Sequence, residues 1–340
     1  MPTPIGRSLL PRLFIALVIA LVAALPFTAG LPGDFVFDDI PSIVNNDAIK
    51  LQELNGESLV NVATAPQISG SLRALPTLTF ALDFWRSGHL DPAAFKSTNI
   101  LIHALTACAL AWFFHALLLT AGVKAGRARW AAVALSLAWA LHPLQVSSVL
   151  YVVQRMQTLG TLFLVLALLA YLQARRAHLA GRSGRTGLLA AVLMWVVAMG
   201  CKEDSVLFPV YALALELTVL GFGAADVALA RRLRRGYLAA SVAGIVVYAL
   251  ILVPNYWHWE AYPARDFSSI ERLLTQARVL CMYLWQIIVP MPSHMPFYYD
   301  WLQPSRGLLQ PWTTLPSMLV VLALVVLAWH APRYSGKDDA

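Results

Sequence analysis

Apolar runs broken by short basic or polar stretches recur from end to end of this chain, and that alternation constrains its fold more than any motif does. The runs cover roughly residues 13–31, 99–119, 130–141, 159–173, 188–199, 206–222, 237–253, 277–291 and 314–330. A helix needs about 20 mostly apolar residues to cross a bilayer, with every backbone polar group paired inside it. Several runs are shorter, so their polar ends (His142, Gln154 and Lys202) are expected in a protein-lined cavity instead of lipid. Composition agrees: 59% of the residues are hydrophobic and 13% charged, against about 25% charged in a soluble domain. The expected fold is all-α, a polytopic membrane protein of about eight or nine transmembrane helices, with residues 1–340 as a single membrane domain.

The net charge of +7 reads as a topology signal. Basic residues concentrate at Arg7 and Arg12 and within 124–129, 175–185 and 231–235, each beside an apolar run. Such loops stay cytoplasmic. No basic fold motif accompanies them, so no nucleic-acid partner is expected. With the N-terminus inside, residues 32–97, 142–157, 200–205 and the stretch from Pro254 face outward. The run at 277–291 crosses or lies at the interface, which leaves the side of the C-terminus open. The first run resembles a signal peptide, but it is long enough to span and shows no clean small-residue cleavage site, so it is read as a retained helix. Cys108, Cys201 and Cys281 have no metal spacing and read as packing residues.

The polar residues that carry chemistry fall on the outward side. Asp38 and Asp39 follow the first span, in Phe35-Val36-Phe37-Asp38-Asp39-Ile40. Two adjacent carboxylates suit a general base or a cation ligand, since each raises the other's pKa. The alternative is a solvated turn or a helix cap toward Ser42. The loop at 32–97 is long, as functional loops are. It holds Arg73, whose guanidinium matches a phosphate, and then an apolar stretch to Trp85 that suits an amphipathic helix on the membrane. Asn99 and His103 share one helix face, either lining a cavity or bonding between helices. His142, Tyr151, Gln154 and Arg155 form a polar strip, for which the structural reading is a lipid-anchoring arginine. Lys202 and Glu203 form an ion pair or a phosphate contact. Glu216 lies within an apolar run, where an acid must be protonated or paired. Arg272 and Arg278, near Tyr283 and Trp301, suit an interfacial helix or ordinary anchors.

Taken in order, Phe37-Asp38-Asp39 with Ile43 and Asn45, Arg73 with Pro76, Asn99-Ile100-Leu101-Ile102-His103, His142-Pro143 with Val146 and Arg155, Lys202-Glu203, and Arg272-Leu273-Leu274-Thr275 with Tyr283 and Pro290 form a set. The set resembles the membrane part of the transmembrane-and-TPR-repeat protein O-mannosyltransferases and their bacterial relatives, in the GT-C glycosyltransferase superfamily. The resemblance implies inverting transfer of a sugar from a polyprenyl-phosphate donor to a hydroxyl of a protein or glycan acceptor. It implies an active site on the periplasmic side of a bacterial inner membrane. By it, Asp38 or Asp39 (Asp39 slightly favoured) is the base, Arg73, Arg155, Lys202 and Arg278 hold the lipid phosphate, and His103 and His142 line the cavity beside Asn99 and Glu203. A divalent cation is left open. Arg73 is followed by Ala74-Leu75-Pro76, where the family often reads Arg-Pro-Leu. No TPR domain is expected within 1–340, which implies a separate acceptor-presenting protein or a different acceptor. The rival classes are a flippase for a lipid-linked intermediate, which should show internal repeats, and a non-catalytic scaffold of the same fold.

Overall fold

The computed structural model describes residues 6–65, 73–256 and 266–330. Ser71 and Leu72, which precede Arg73, lie outside the described residues. Within them the regular elements are helices, with one isolated bridge between Gly307 and Gln310. The chain divides after Asp226 into two units. The first holds α1 (Gly6–Ala24), α2 (Gly56–Thr64), α3 (Ala74–Ser87), α4 (Pro92–Thr120), α5 (Ala125–Ala140), α6 (Gln145–Leu150), α7 (Arg155–Leu179), α8 (Arg185–Met199) and α9 (Phe208–Leu215). The second holds α10 (Val227–Val247), α11 (Val253–Tyr256), α12 (Ser269–Ile288) and α13 (Thr314–His330).

Among the described residues, four helical stretches are long and apolar enough to cross a membrane: Pro11–Gly30, Pro92–Thr120, Val152–Leu179 and Val227–Ile251. Arg185–Met199 and Thr314–Ala328 are apolar but shorter. The all-helical, membrane-type architecture therefore matches the sequence reading, while fewer helices than apolar runs reach spanning length. α5 has 16 residues and α8 has 15. α9 ends after eight residues, where Glu216 opens a π-helical turn. α12 is 20 residues long but carries Glu271, Arg272 and Arg278.

Where polar residues are paired inside the protein, helices run past the ends of the apolar runs. α4 begins at Pro92, with its N-terminus capped by Asp91, which accepts from the Ala93 N–H at 3.0 Å. α7 begins at Arg155 and continues to Leu179. Glu216 finds its partner on α7: Arg175 Nε donates to it at 2.5 Å, both side chains fully buried. The Tyr171 hydroxyl and the Phe222 N–H donate to the same carboxylate. The acid within the apolar run is thus a paired one.

Small residues bring the helices together, as is usual where lipid gives no hydrophobic drive between them. Ala23, Ala107 and Ala140 pack α1, α4 and α5, and Ser136 Oγ donates to the Ala107 carbonyl. On α8, a Cβ at Gly187 would lie 2.9 Å from Ala174 Cβ and 3.0 Å from the Ala170 carbonyl oxygen of α7. Gly187→Val should therefore force α7 and α8 apart and cost about 1–3 kcal/mol, read as a lower melting temperature in detergent.

The long first loop is itself folded. Ile43, Ile49, Leu51 and Val62 bury against Phe80, Phe84, Phe95 and Val152. α3, expected as a helix on the membrane, packs Phe80 and Phe84 into this cluster. Full burial of such side chains stabilises by about 1.5–3 kcal/mol each.

In the second unit, Ser268 and Glu271 form a capping box at the start of α12. Arg306 pairs with Asp266 at 2.9 Å and with Glu271 at 3.2 Å.

Candidate functional site

Asp38 and Asp39 have opposite environments. Asp39 is fully buried. Its Oδ2 accepts from the Val36 N–H at 3.2 Å and its Oδ1 from the Val153 N–H at 2.7 Å. It ties the loop to the chain entering α7. Burial pushes its carboxyl above the usual carboxylate range, against the pull of the Val153 and Val36 N–H groups and the charge of Lys96. Asp38 is exposed. Its N–H donates to the Tyr151 hydroxyl at 2.8 Å, and the phenol in turn hydrogen-bonds its carboxylate. Desolvation, the largest cause, helps push the Tyr151 phenol up to about 12, so it remains a protonated donor near neutral pH. Phe37, just before the pair, has φ 45°. A bulky residue in the left-handed region is strained, and such strain gathers at functional sites.

Lys96 lies beneath the pair, 3% exposed, and its ammonium donates to the carbonyls of Gly30 and Gly33. A Cβ at Gly33 would sit 2.8 Å from Lys96 Nζ, so any larger residue there would shift the end of the lysine. The helix face shared by Lys96, Asn99 and His103 offered a spacing signal for Lys96 that the sequence reading passed over.

Asn99, His103 and Arg155 lie deeper. Asn99 Nδ2 donates to the carbonyls of Val149 and Val152, and its Oδ1 accepts from Arg155 Nε at 2.7 Å. His103 contacts the Ala140 carbonyl through Nε2 at 3.0 Å, between the rings of Phe27 and Trp139. Arg155 is fully buried. It donates to Phe95 O and Thr79 Oγ1, lies 4.5 Å from the Phe80 ring centre, and meets Asp83 at 2.6 Å. The Asp83 Oδ2 gains charge contact there without hydrogen-bond alignment. Asp83 also pairs with Arg86 and accepts from Thr98. The sequence reading missed Asp83, because no local pattern links it to Arg155. Arg155, expected near a phosphate, thus has no exposed surface.

Arg73 and Glu203 come together. Arg73 Nε and Nη2 donate to the Glu203 carboxylate at 3.1–3.2 Å, and Nη1 contacts Met156 Sδ. Lys202 is half-buried and has no acidic partner among the described residues. The segment carrying it rests on α7, where a Cβ at Gly160 would sit 3.4 Å from Cys201 and 3.5 Å from Ser205. Val153, Met156 and Gly160 thus hold the Asp pair, the Arg73–Glu203 pair and the Lys202 segment within about 10 Å along one helix. His142 lies half-buried, its Nδ1 accepting from the Leu144 N–H.

Arg278 belongs to the second unit, where it donates to the Gln303 carbonyl at 2.9 Å and to Ser305 Oγ at 3.3 Å. Among the described residues no three of His, Cys, Asp and Glu cluster as a metal site. Both Asp39 oxygens accept backbone N–H groups, while the exposed Asp38 carboxylate meets the Tyr151 phenol.

No family model matches the chain, and no solved structure does. Among curated proteins, it is 30% identical over 162 residues to Protein O-mannosyl-transferase TMTC4 of Homo sapiens, and equally to the Mus musculus protein of that name. Each match covers 45% of this chain and 22% of the relative. Nearly half of the chain is thus similar to proteins named as O-mannosyltransferases, and it spans less than a quarter of their length.

Proposed function

We propose that the chain is a membrane glycosyltransferase of the GT-C type, with eight or nine crossings and its site on the extracytoplasmic face. It moves a sugar with inversion from a polyprenyl-phosphate donor to an acceptor hydroxyl. The observation that carries this reading is the asymmetry of the aspartates. Asp38 is exposed and oriented by Tyr151, while Asp39 is buried and holds the loop to α7. The names of the partial relatives point the same way.

In this mechanism Asp38 accepts the proton of the acceptor hydroxyl. The acceptor oxygen attacks the anomeric carbon, and the bond to the phosphate oxygen breaks on the opposite side. The leaving polyprenyl phosphate takes the electron pair. Lys202 stabilises its charge, which such fixed cations do best where water is scarce. Arg73 reaches the phosphate only by leaving Glu203. Asp39, Lys96, Asn99, His103 and Arg155 are positioning residues here. His142 stands as a lining residue.

The test is purified protein with polyprenyl-phosphate mannose and a hydroxyl-bearing peptide. Release of free polyprenyl phosphate is expected only when the peptide is present. Movement of the intact donor across vesicles without release would identify a flippase. Lys202→Met should slow transfer by about 10- to 100-fold, in the range of one charged phosphate contact, with no change in melting temperature.

A further inference from the structure

A cavity of about 900 Å³ opens between α1, α4, α5 and α7. It lies at the end of the first unit away from Asp38. Arg176, on its rim, is 21 residues beyond Arg155 on α7, about 32 Å along the axis and close to the roughly 30 Å of a bilayer's hydrocarbon core.

Arg12, His115, Arg129, Gln173 and Arg176 line it. All five thus face one and the same cavity. Among the described residues no acidic one lines the cavity, and none of the three arginines has an acidic partner.

Away from the cluster the wall is apolar, through Ile19, Leu162 and Leu166. Leu162 lies 14 residues from Arg176, about 21 Å along α7, which exceeds the roughly 15 Å depth of one leaflet. α1 closes this side loosely, with 17% of its apolar window buried.

Arg127, two residues before Arg129 on α5, is exposed and is not among the residues that line the cavity. Three arginines that converge unpaired on one cavity repel each other unless an anion joins them. A free phosphate would leave the apolar arm unused. We propose that this cleft binds one anionic phospholipid from the leaflet on the arginine side. Its phosphate is held by Arg12, Arg129 and Arg176 through the guanidinium forks, and one acyl chain runs along Ile19, Leu162 and Leu166. This site does not depend on the transferase reading.

The experiment is native mass spectrometry of the full chain, delipidated in detergent and titrated with phosphatidylglycerol or with phosphatidylcholine of the same chains. Phosphatidylglycerol should be retained at far lower concentration. Arg129→Gln, at an exposed position on α5, should weaken that retention by roughly fivefold, and the triple change of Arg12, Arg129 and Arg176 to Gln by about a hundredfold. Removing Arg127, Arg182 and Arg185 in the same way should change nothing. Equal retention of both lipids, or an equal loss in the control triple, would overturn the proposal. So would displacement of phosphatidylglycerol by polyprenyl phosphate at equal concentration. If the cleft triple does not fold, Arg129→Gln against Arg127→Gln decides alone.

Discussion

Asp38→Asn is expected to lower sugar transfer by about 10²–10⁴-fold, the usual contribution of a positioned general base, with expression and melting temperature unchanged. The amide keeps an oxygen for the Tyr151 phenol, so the loop holds its shape while the base is lost. Asp39→Ala is expected to fail differently. It strips the Val36 and Val153 N–H groups of their acceptor, and each buried donor left alone costs about 1–3 kcal/mol. Its activity should fall together with its melting temperature. If Asp38→Asn keeps its rate while Asp39→Asn loses it without any loss of stability, the two roles are exchanged. A pH series adds a separate mark. The Asp39 carboxyl is raised above its ordinary value of 3.8, chiefly by burial, so the native state holds the proton more tightly than the unfolded chain. Stability from this group is full below 3.8 and is lost as pH climbs through the raised value. Asp39→Asn should flatten that part of the stability curve.

Arg155→Ala is expected to destabilise the first unit by about 3–5 kcal/mol, as removal of one partner from a buried ion pair does. It abandons Asp83, which is 4% exposed, and leaves Asn99 Oδ1 and Phe95 O without their donor. The companion is the double change Arg155→Met with Asp83→Leu. Apolar replacement of a whole buried pair is often neutral or stabilising, so melting temperature should recover most of the loss. Donor KM decides between the two readings of this arginine. A positioning residue regains transfer when stability returns. A phosphate ligand leaves the double variant stable and still unable to bind donor.

Helix class and membrane character were legible because hydrophobicity is local: each apolar run carries its own evidence. The Asp doublet and Lys202-Glu203 were legible as polar residues at the ends of such runs. The split between the two aspartates was not. It rests on Tyr151 and Val153, 113 and 114 residues away, and no period in the sequence connects them. Arg155 shows the same limit. An arginine beside apolar helices reads as a lipid or phosphate contact until Asp83 is seen beside it. The packing of Phe80 and Phe84 on α3 was not legible for a related reason, since an amphipathic pattern does not name the partners of its apolar face.

The Arg175–Glu216 pair bears on how the chain is made. The guanidinium precedes its carboxylate by 41 residues. Arg175 stands near the C-terminal end of α7 and Glu216 just after α9, so the pair closes only once α9 has been made. Assembly of the first unit is therefore ordered in time, and a nascent chain arrested before residue 216 would lack the buried contact that ties the end of α7 to the segment after α9.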